Sequence, residues 1–387
     1  MSRCANQNLI IMNVEIKTVS SKKDMKTFVR FANKLYKGNK YYVPSMPLDD
    51  INTLSDGKND AFTFSDVELY LAYQDGKVVG RVAAIINRKA NDAWKVKQVR
   101  FGWIDFIDDI NVSSALLEAV AAFGRKHGMT QMVGPLGFID FDPEGMLVEG
   151  FDRISTMALI YNHPYYPEHM KKLGFTKETG WIENRITIPE ILPERYIRVA
   201  DMVAQKYNLK LRKFTTRQIK KEGYGRKFFN LINQTYCTLY GYSLLSDKQI
   251  DDFVNVYLSL VDTRMLTFIE DENGNLIAAG ISMPSLAEAL QKCRGEIFPF
   301  GWWHLLKAMF LKKSDTVELL LIGVLPEWQR KGVVALLFVD LFSTYRKLGF
   351  KYAETNAMLE TNVKIQAMFE PFEKELHKRR WVFGKEI

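Results

Sequence analysis

The stretch that decides the fold runs from Leu319 to Val339 and reads LLLIGVLPEWQRKGVVALLFV. Its first six residues are apolar and predict a buried strand, which Pro326 ends because proline cannot donate to a sheet ladder. After a short polar turn, the apolar residues from Val333 onward predict a helix that packs on the sheet. A helix N-terminus carries unpaired amides and partial positive charge, and Arg330 and Lys331 stand beside it, so this turn suits a pyrophosphate.

The composition predicts a globular protein of two domains. The chain has 387 residues, of which 47% are apolar and 25% charged. It shows no secretory signal and no run of roughly 18 to 20 apolar residues that would span a membrane. Three distant cysteines and five histidines without ligand spacing predict a cytoplasmic location and no metal. The net charge of +8 permits an anionic partner, but without a basic tract or finger motif the sequence argues against nucleic acid.

The chain divides into two halves with the same order of elements. Each half has a hairpin, a third strand, a helix and a further strand; the hairpins turn at Gln74–Gly76 and Asp271–Gly274. We therefore predict an α/β fold (an α+β mixed sheet) that arose by tandem duplication. The predicted boundaries are a flexible N-terminal tail at 1–12, a degenerate first domain at 13–194 and a second domain at 195–387.

This order, with a basic turn between strand and helix, resembles the GNAT superfamily of acyl-CoA N-acyltransferases. The family signature is Gln/Arg-x-x-Gly-x-Gly/Ala, and it stands here as Gln329, Arg330, Lys331, Gly332, Val333 and Val334. Val334 departs from the pattern, because the family has Gly or Ala there. The stretches GMLVEGFD at 145–152 and YNHPYYP at 161–167 are similar to an uncharacterised bacterial subfamily of two-domain GNAT-like proteins.

The resemblance implies an N-acyltransferase that moves an acyl group from acetyl-CoA or another acyl-CoA to an amine by direct attack, without a metal. The six residues of the signature turn, together with Asn362, are expected to bind the cofactor. A backbone amide of Ile322, Gly323 or Val324 is expected to polarise the thioester. Gly323 is also the expected place of a strand bulge, because glycine tolerates one.

Two acid–base positions follow from the same resemblance. Glu318, an acidic residue inside the apolar strand, is the best candidate base, with the alternative that it lies at a solvated strand start. Glu354 and Glu360 are the other candidates, and Glu360 could instead be a residue at a helix start. The family often places a tyrosine acid seven residues after the position of Asn362, which here is Phe369. A phenylalanine has no proton to donate, so another group, or water, must act, or turnover is absent.

The first half differs at the corresponding turn. There the sequence is FIDDINV at 106–112, with no glycine and with Asp108 and Asp109. Two carboxylates repel a pyrophosphate, so we expect only the second half to bind CoA. Basic residues elsewhere could meet the 3′-phosphate or be solvated surface: Lys312, Lys313, Lys378, Arg379 and Arg380. The aromatic run 295–303 could wall a site, cover the sheet or contact another protein.

Three functions stay open at this stage. The first is the N-acyltransferase, with a small-molecule amine or a peptide as acceptor. The second is a CoA- or ligand-binding module without turnover, which Val334 and Phe369 favour. The third is amino-acid transfer from aminoacyl-tRNA, which the positive charge permits.

Overall fold

A computed structural model describes residues 14–256, 261–311 and 314–387. The predicted tail at 1–12 and the residues Lys312 and Lys313 lie outside these ranges. The strands are β1 Glu15–Thr18, β2 Ser65–Gln74, β3 Lys77–Asn87, β4 Gln98–Phe106, β5 Gln131–Gly134, β6 Met146–Glu149, β7 Thr176–Thr187, β8 Lys210–Arg212, β9 Leu266–Glu270, β10 Leu276–Pro284, β11 Thr316–Val324, β12 Tyr352–Thr355, β13 Met358–Leu359 and β14 Lys374–Glu386.

The α-helices alternate with these strands along the chain. They are α1 Lys22–Leu35, α2 Pro47–Thr53, α3 Arg88–Trp94, α4 Ile110–Lys126, α5 Tyr165–Lys172, α6 Glu194–Lys206, α7 Thr216–Lys221, α8 Tyr224–Tyr236, α9 Asp247–Val256, α10 Ala287–Cys293, α11 Gly301–Leu306, α12 Val333–Lys347 and α13 Val363–Met368. Short 3-10 turns cover 60–63, 263–265 and 326–331, and a π-helical turn covers 307–311.

One mixed sheet joins both halves in the order β1-β2-β3-β4-β5-β14-β7-β12-β11-β10-β9-β8. Each half begins with antiparallel strands and then has one parallel pair, β4 with β5 and β11 with β12. The helices between those parallel strands, α4 and α12, bury one apolar face on the sheet. The predicted mixed α/β fold of two similar halves is confirmed.

The last strand of each half lies in the sheet of the other half. Strand β7, from the first half, pairs with β12, and β14, from the second half, pairs with β5. The two exchanged strands also pair with each other from Lys374 to Gly384. Because the sheet is continuous, the halves share one core at this seam. The domain boundary between 194 and 195 therefore stays a prediction.

A network of buried charges lies at this seam. The Nε of Arg380 is 2.5 Å from Glu183, and the Nζ of Lys378 is 3.3 Å from Glu183 and 3.4 Å from Glu354. Arg380 is 0% exposed and Lys378 is 1% exposed, so neither can reach a phosphate in solvent. The expectation that these two residues meet the 3′-phosphate is wrong. These two cations can be buried here because Glu183 of the first half and Glu354 of the second half neutralise them.

A long insertion separates β10 from β11. It contains α10, α11 and the π-helical turn, whereas the first half has only α3 between β3 and β4. Leu290 and Met309 of the insertion are buried in a cluster with Val43 of the first half. The Nε2 of Gln291 donates to the carbonyl oxygens of Lys40 and Tyr42, both at 2.9 Å. The insertion is therefore attached to both halves.

Candidate functional site

The candidate site begins at a bulge in β11. A register shift between Ile281 and Ser282 leaves Leu320 without a partner on β10. On the other side, the parallel pairing with β12 ends at Leu319. A bulge re-aims a strand and ends its pairing, so the backbone at 320–324 has no strand partner on the side where β12 leaves it, and side chains such as Asn356, which donates to the carbonyl oxygen of Leu320 at 3.2 Å, meet it instead. We call this backbone edge the slot.

Glycine does not cause this bulge, so the expectation for Gly323 is wrong. Gly323 pairs in register with Ala279. A Cβ added at Gly323 would lie 3.1 Å from the Oγ1 of Thr235 and 3.2 Å from the Cδ1 of Ile232, both on α8. The glycine thus permits the close approach of α8 to the strand, and that approach brings the end of α8 to the slot.

Tyr236 is the last residue of α8 and reaches the slot. Its hydroxyl donates to the carbonyl oxygen of Ile322 at 3.1 Å, and the N–H of Ile322 is directed at the same hydroxyl at 3.4 Å. Burial raises the pKa of Tyr236 to about 12, so the hydroxyl keeps its proton at neutral pH. Sequence analysis missed this residue, because 86 positions separate it from its backbone partner.

A loop of the first half, at 137–145, carries three buried carboxylates, of which Asp140 acts on Tyr236. Burial raises the pKa of Asp140 to about 6 and that of Asp142 to about 7, and it raises the pKa of Glu144 well above its usual range. The Oδ2 of Asp140 is buried and has no hydrogen-bond partner within the described ranges. Burial is the main cause of the raised pKa of Tyr236, the hydrogen bond with Ile322 lowers that pKa, and the negative charge of Asp140 raises it further.

Hydrogen bonds fix the acidic loop against the second half. The Oδ2 of Asp142 accepts from the backbone N–H groups of Phe138 at 2.8 Å and Ile139 at 3.1 Å. Arg100 of β4 donates to the carbonyl oxygen of Gly137 at 3.1 Å and to that of Gly241 at 3.0 Å. The guanidinium thus bridges the loop to the chain that follows α8. Hydrogen bonds within the protein therefore fix the position of the acidic loop.

The predicted anion turn forms directly after β11, at the same end of the strand as the slot. The turn at 326–331 is followed by Gly332, whose φ of +80° lies in the left-handed region, and then by α12. The Nε2 of Gln329 donates to the carbonyl oxygen of Val324 at 3.2 Å. The Nζ of Lys331 lies 3.9 Å from the ring centre of Trp328, whereas Arg330 is exposed. Arg330 is therefore the cation of this turn that is free to meet a ligand.

The neighbours of the turn explain two of its residues. A Cβ at Gly332 would lie 3.1 Å from Val203 and 3.2 Å from Val199, both on α6, so the glycine is required for packing as well as for its φ. The side chains of Val333 and Val334 are buried in the cluster beneath α12. The branched side chain of Val334 therefore points into the core, and its departure from the family pattern does not fill the outer face of the turn.

The other predicted site residues lie elsewhere. Asn362 caps α13, and its side chain accepts from the N–H of Ile365 at 3.3 Å. Phe369 is 3% exposed and packs on Phe338 of α12 with ring centres 5.2 Å apart. It belongs to the core and does not face the slot. The acid that the family places near this point is absent here, and Tyr236 offers a hydroxyl from a different helix.

Glu318 is buried, so the alternative of a solvated strand start is wrong. The residue is 3% exposed, and its Oε1 has no hydrogen-bond partner among the described residues. Burial raises its pKa to about 7; the hydrogen bond with Ser285 and the charge of Lys378 lower it, and the charge of Glu354 raises it. These neighbours place Glu318 on the side of the seam network, before the bulge. Its role as a base stays a prediction.

The corresponding place in the first half also has tyrosine contacts. At the end of β4, the N–H of Phe106 donates to the hydroxyl of Tyr166 at 2.9 Å, and Tyr165 donates to the carbonyl oxygen of Phe106 at 2.6 Å. Asp109 caps α4 by accepting from the N–H of Asn111 at 2.9 Å. A tyrosine hydroxyl thus meets the strand-end backbone in both halves, and the first half differs by the Asp109 carboxylate at the start of its helix, which repels a pyrophosphate.

Comparison with known proteins agrees with this architecture. No protein-family model matches the chain. Over 97% of its length the chain superposes on a tandem GNAT protein from the clavulanic acid biosynthesis pathway, with a TM-score of 0.55, 12% identity and 98% of that chain covered. The chain has a two-domain GNAT-like fold. A GCN5-related N-acetyltransferase from Sphaerobacter thermophilus also matches, with a TM-score of 0.50, 10% identity, 96% of this chain and 95% of that one.

Two curated proteins are similar to this GNAT-like chain over almost their whole length. Protein YghO of Escherichia coli (strain K12) is 26% identical, covering 98% of this chain and 97% of that protein. Bacterial ceramide synthase of Caulobacter vibrioides (strain NA1000 / CB15N) is 22% identical, covering 95% and 96%. Among the residues at 14–256, 261–311 and 314–387, no helix is long and apolar enough to cross a membrane. Those residues also contain no cluster of three metal-ligating side chains.

Proposed function

We propose that the protein is an N-acyltransferase that moves an acyl group from an acyl-CoA thioester to the amine of a long-chain acceptor in the cytoplasm. The observation that carries the proposal is the contact of the Tyr236 hydroxyl with the backbone of Ile322 in the slot, with the carboxylate of Asp140 nearby. A hydrogen-bond donor, a protonated acid and a partly ionised base are the groups that aminolysis of a thioester needs.

The roles follow from the groups' positions and protonation states. The N–H of Ile322 would exchange its 3.4 Å contact with the Tyr236 hydroxyl for the thioester carbonyl, and the amine nitrogen would attack the carbonyl carbon to form a tetrahedral oxyanion. Asp140 would accept the proton that the amine loses, since a pKa of about 6 leaves much of it ionised at neutral pH. As the C–S bond breaks, the hydroxyl of Tyr236 would protonate the departing thiolate, and the amide and free thiol would be the products.

The donor class is proposed from the turn before α12. Its first-turn amides lack intrahelical acceptors, and Arg330 is exposed beside them. At the corresponding helix start in the first half, the Asp109 carboxylate accepts from a backbone N–H and would repel a pyrophosphate, so we propose one donor site per chain. Acetyl-CoA is the shortest donor that fits this proposal, and longer acyl-CoA thioesters belong to the same class.

The acceptor class is proposed from one relative. A ceramide is an amide between a fatty acid and a long-chain amino alcohol, and a protein with the name ceramide synthase is similar to this chain along almost its full length. We propose an acceptor of the same chemistry, with a primary amine on a long apolar chain. Amino sugars, polyamines and peptides are the competing acceptors in the test.

The test measures amide formation directly. The purified protein is incubated with acetyl-CoA or a long-chain acyl-CoA and each acceptor, and thiol release and the amide product are measured, the latter by mass spectrometry. We expect product with a long-chain amino alcohol and a drop of at least about tenfold in donor affinity for Arg330→Glu, because that change reverses the charge at the turn. Binding of CoA without any amide product would contradict turnover and select the binding-module alternative.

The matched control is Arg217→Glu on α7. Arg217 is also exposed, but its helix packs through Ile219 on the cluster that contains α8, away from α12. We expect this control to keep donor affinity within about twofold. Gly332 is a poor choice for such a test, because any side chain there is strained and meets α6. Affinity that is equal in both arginine variants would refute the assignment of the donor to this turn.

A further inference from the structure

The insertion between β10 and β11 exposes a concentrated group of aromatic side chains. Among the described residues, six phenylalanine or tryptophan side chains rank as exposed, and five of them lie between 298 and 310. We call these five residues the aromatic patch: Phe298 (74% exposed), Phe300 (75%), Trp302 (43%), Trp303 (49%) and Phe310 (58%). Leu306 and Leu311 extend it, at 40% and 70%. Folded proteins rarely leave so much contiguous apolar surface in water without a use for it.

The exposure is a property of the helix and its packing. Along α11 and the π-helical turn, Gly301 and Met309 face the protein and are buried, whereas Trp302, Leu306 and Phe310 face solvent. The usual pattern of a surface helix is therefore reversed, because the face toward solvent carries the aromatic side chains. The inner face is anchored in the cluster with Val43, so the patch is displayed by a packed segment.

Positive charge surrounds the patch. Of the nearby acidic residues, Glu296 is neutralised by Arg30 at 2.9 Å and Glu288 by Lys292 at 3.5 Å. Arg294 precedes the patch and Lys307 lies within it; both are exposed and add two positive charges. Tryptophan and phenylalanine favour the boundary between headgroups and acyl chains, and lysine and arginine favour anionic headgroups.

We propose that the aromatic patch docks the protein on the surface of a membrane that contains anionic lipid. A second copy of the chain fits the patch less well, because two surfaces with the same positive charge repel each other and the whole chain carries +8. The anchor cluster of the insertion includes Leu320, the bulged residue at the slot. Docking would therefore place the slot behind the insertion, on the side away from the lipid.

The test measures binding of the full-length protein to vesicles without any substrate, so its outcome is independent of the proposed acyl transfer. Vesicles of phosphatidylcholine with phosphatidylglycerol are sedimented, and the bound fraction gives a partition coefficient. We expect Phe300→Ser/Phe310→Ser to lower that coefficient by at least about tenfold, because each ring would leave the interface. The matched control is Ile191→Ser/Val363→Ser, which removes two residues that are 82% and 70% exposed outside the patch. It should change partitioning by less than about twofold.

A second measurement identifies the contact directly. Lipids brominated near the headgroup quench tryptophan fluorescence on contact, and Trp302→Phe/Trp303→Phe should remove most of the quenching while Trp94→Phe keeps it. Circular dichroism checks that all variants are folded. The proposal is overturned if the serine variant of the patch binds vesicles like wild type, or if quenching survives without Trp302 and Trp303. It is also overturned if light scattering shows a wild-type dimer that only this patch variant dissociates, since the patch would then join two copies.

Discussion

Substitution of Glu318 by glutamine tests the buried environment before the bulge. The carboxyl is 3% exposed, and burial raises its pKa from 4.5 to about 7. An acid whose pKa is higher in the folded protein holds its proton there after the unfolded chain has lost it. The free energy of unfolding therefore falls as pH rises from about 4.5 to about 7. Each pKa unit corresponds to about 1.4 kcal/mol, so Glu318 should remove about 3 kcal/mol of stability across this range.

Glu318→Gln keeps the shape of the neutral acid and cannot ionise. We expect its free energy of unfolding in urea to match wild type near pH 4.5 and to exceed it by about 3 kcal/mol near pH 8. The difference between the two proteins isolates this group from all others that titrate. Glu272→Gln, at an exposed position in the hairpin turn, serves as the control and should show no such pH-dependent gain. A difference between wild type and Glu318→Gln that stays constant with pH, within about 0.5 kcal/mol, would refute the reasoning.

Three further substitutions test the seam and the slot. Lys378→Met should lower the free energy of unfolding in urea by about 3–5 kcal/mol, because it leaves buried carboxylates without their cation. The control Lys374→Met removes a side chain that is 23% exposed and should change the same free energy by less than about 1 kcal/mol. Tyr236→Phe should reduce kcat by about 10²-fold with donor affinity unchanged, as measured by thiol release, because thiolate departure loses its acid. Asp140→Asn should abolish the rise of kcat/KM with pH centred near 6, measured in the same assay.

Each of these has a result that contradicts it. Equal losses in Lys378→Met and Lys374→Met would show that the seam charges contribute no more than a surface pair. A kcat of Tyr236→Phe close to that of wild type would show that Tyr236 is not the acid, and water would then protonate the departing thiolate. If kcat/KM of Asp140→Asn still rises with pH near 6, this carboxylate is excluded as the base. Asp142, whose pKa is raised to about 7, would then be the next candidate.

Local signals in the sequence predicted the parts of the fold that depend on neighbouring residues. The turn at Asp75 and Gly76 has positive φ at both residues, as its Asp-Gly pair indicates. The helix from Val333 follows Gly332 as the apolar pattern predicts. These features need only turn chemistry and hydrophobic periodicity, which a single stretch of chain carries.

The site was less accessible to sequence analysis, because its groups meet through tertiary packing. Tyr236 ends an ordinary amphipathic helix, and nothing local indicates that its hydroxyl meets a strand near Ile322. The acidic loop with Asp140 looks like a polar turn until β14 brings its half against the other one. The glycine in the strand suggested a bulge at Gly323. Packing against α8 explains that glycine instead, and the pairing of β11 with β10 places the bulge at Leu320.

The exchange of β7 and β14 has a consequence for how the protein must be made. Were the chain cut between 194 and 195, each fragment would carry one strand that belongs to its partner and one bare sheet edge, so the pieces would complement each other like swapped subunits. Joining them in one polypeptide replaces an assembly that depends on protein concentration with an intramolecular one. Because one polypeptide contains both halves, they are made in equal amounts at any expression level.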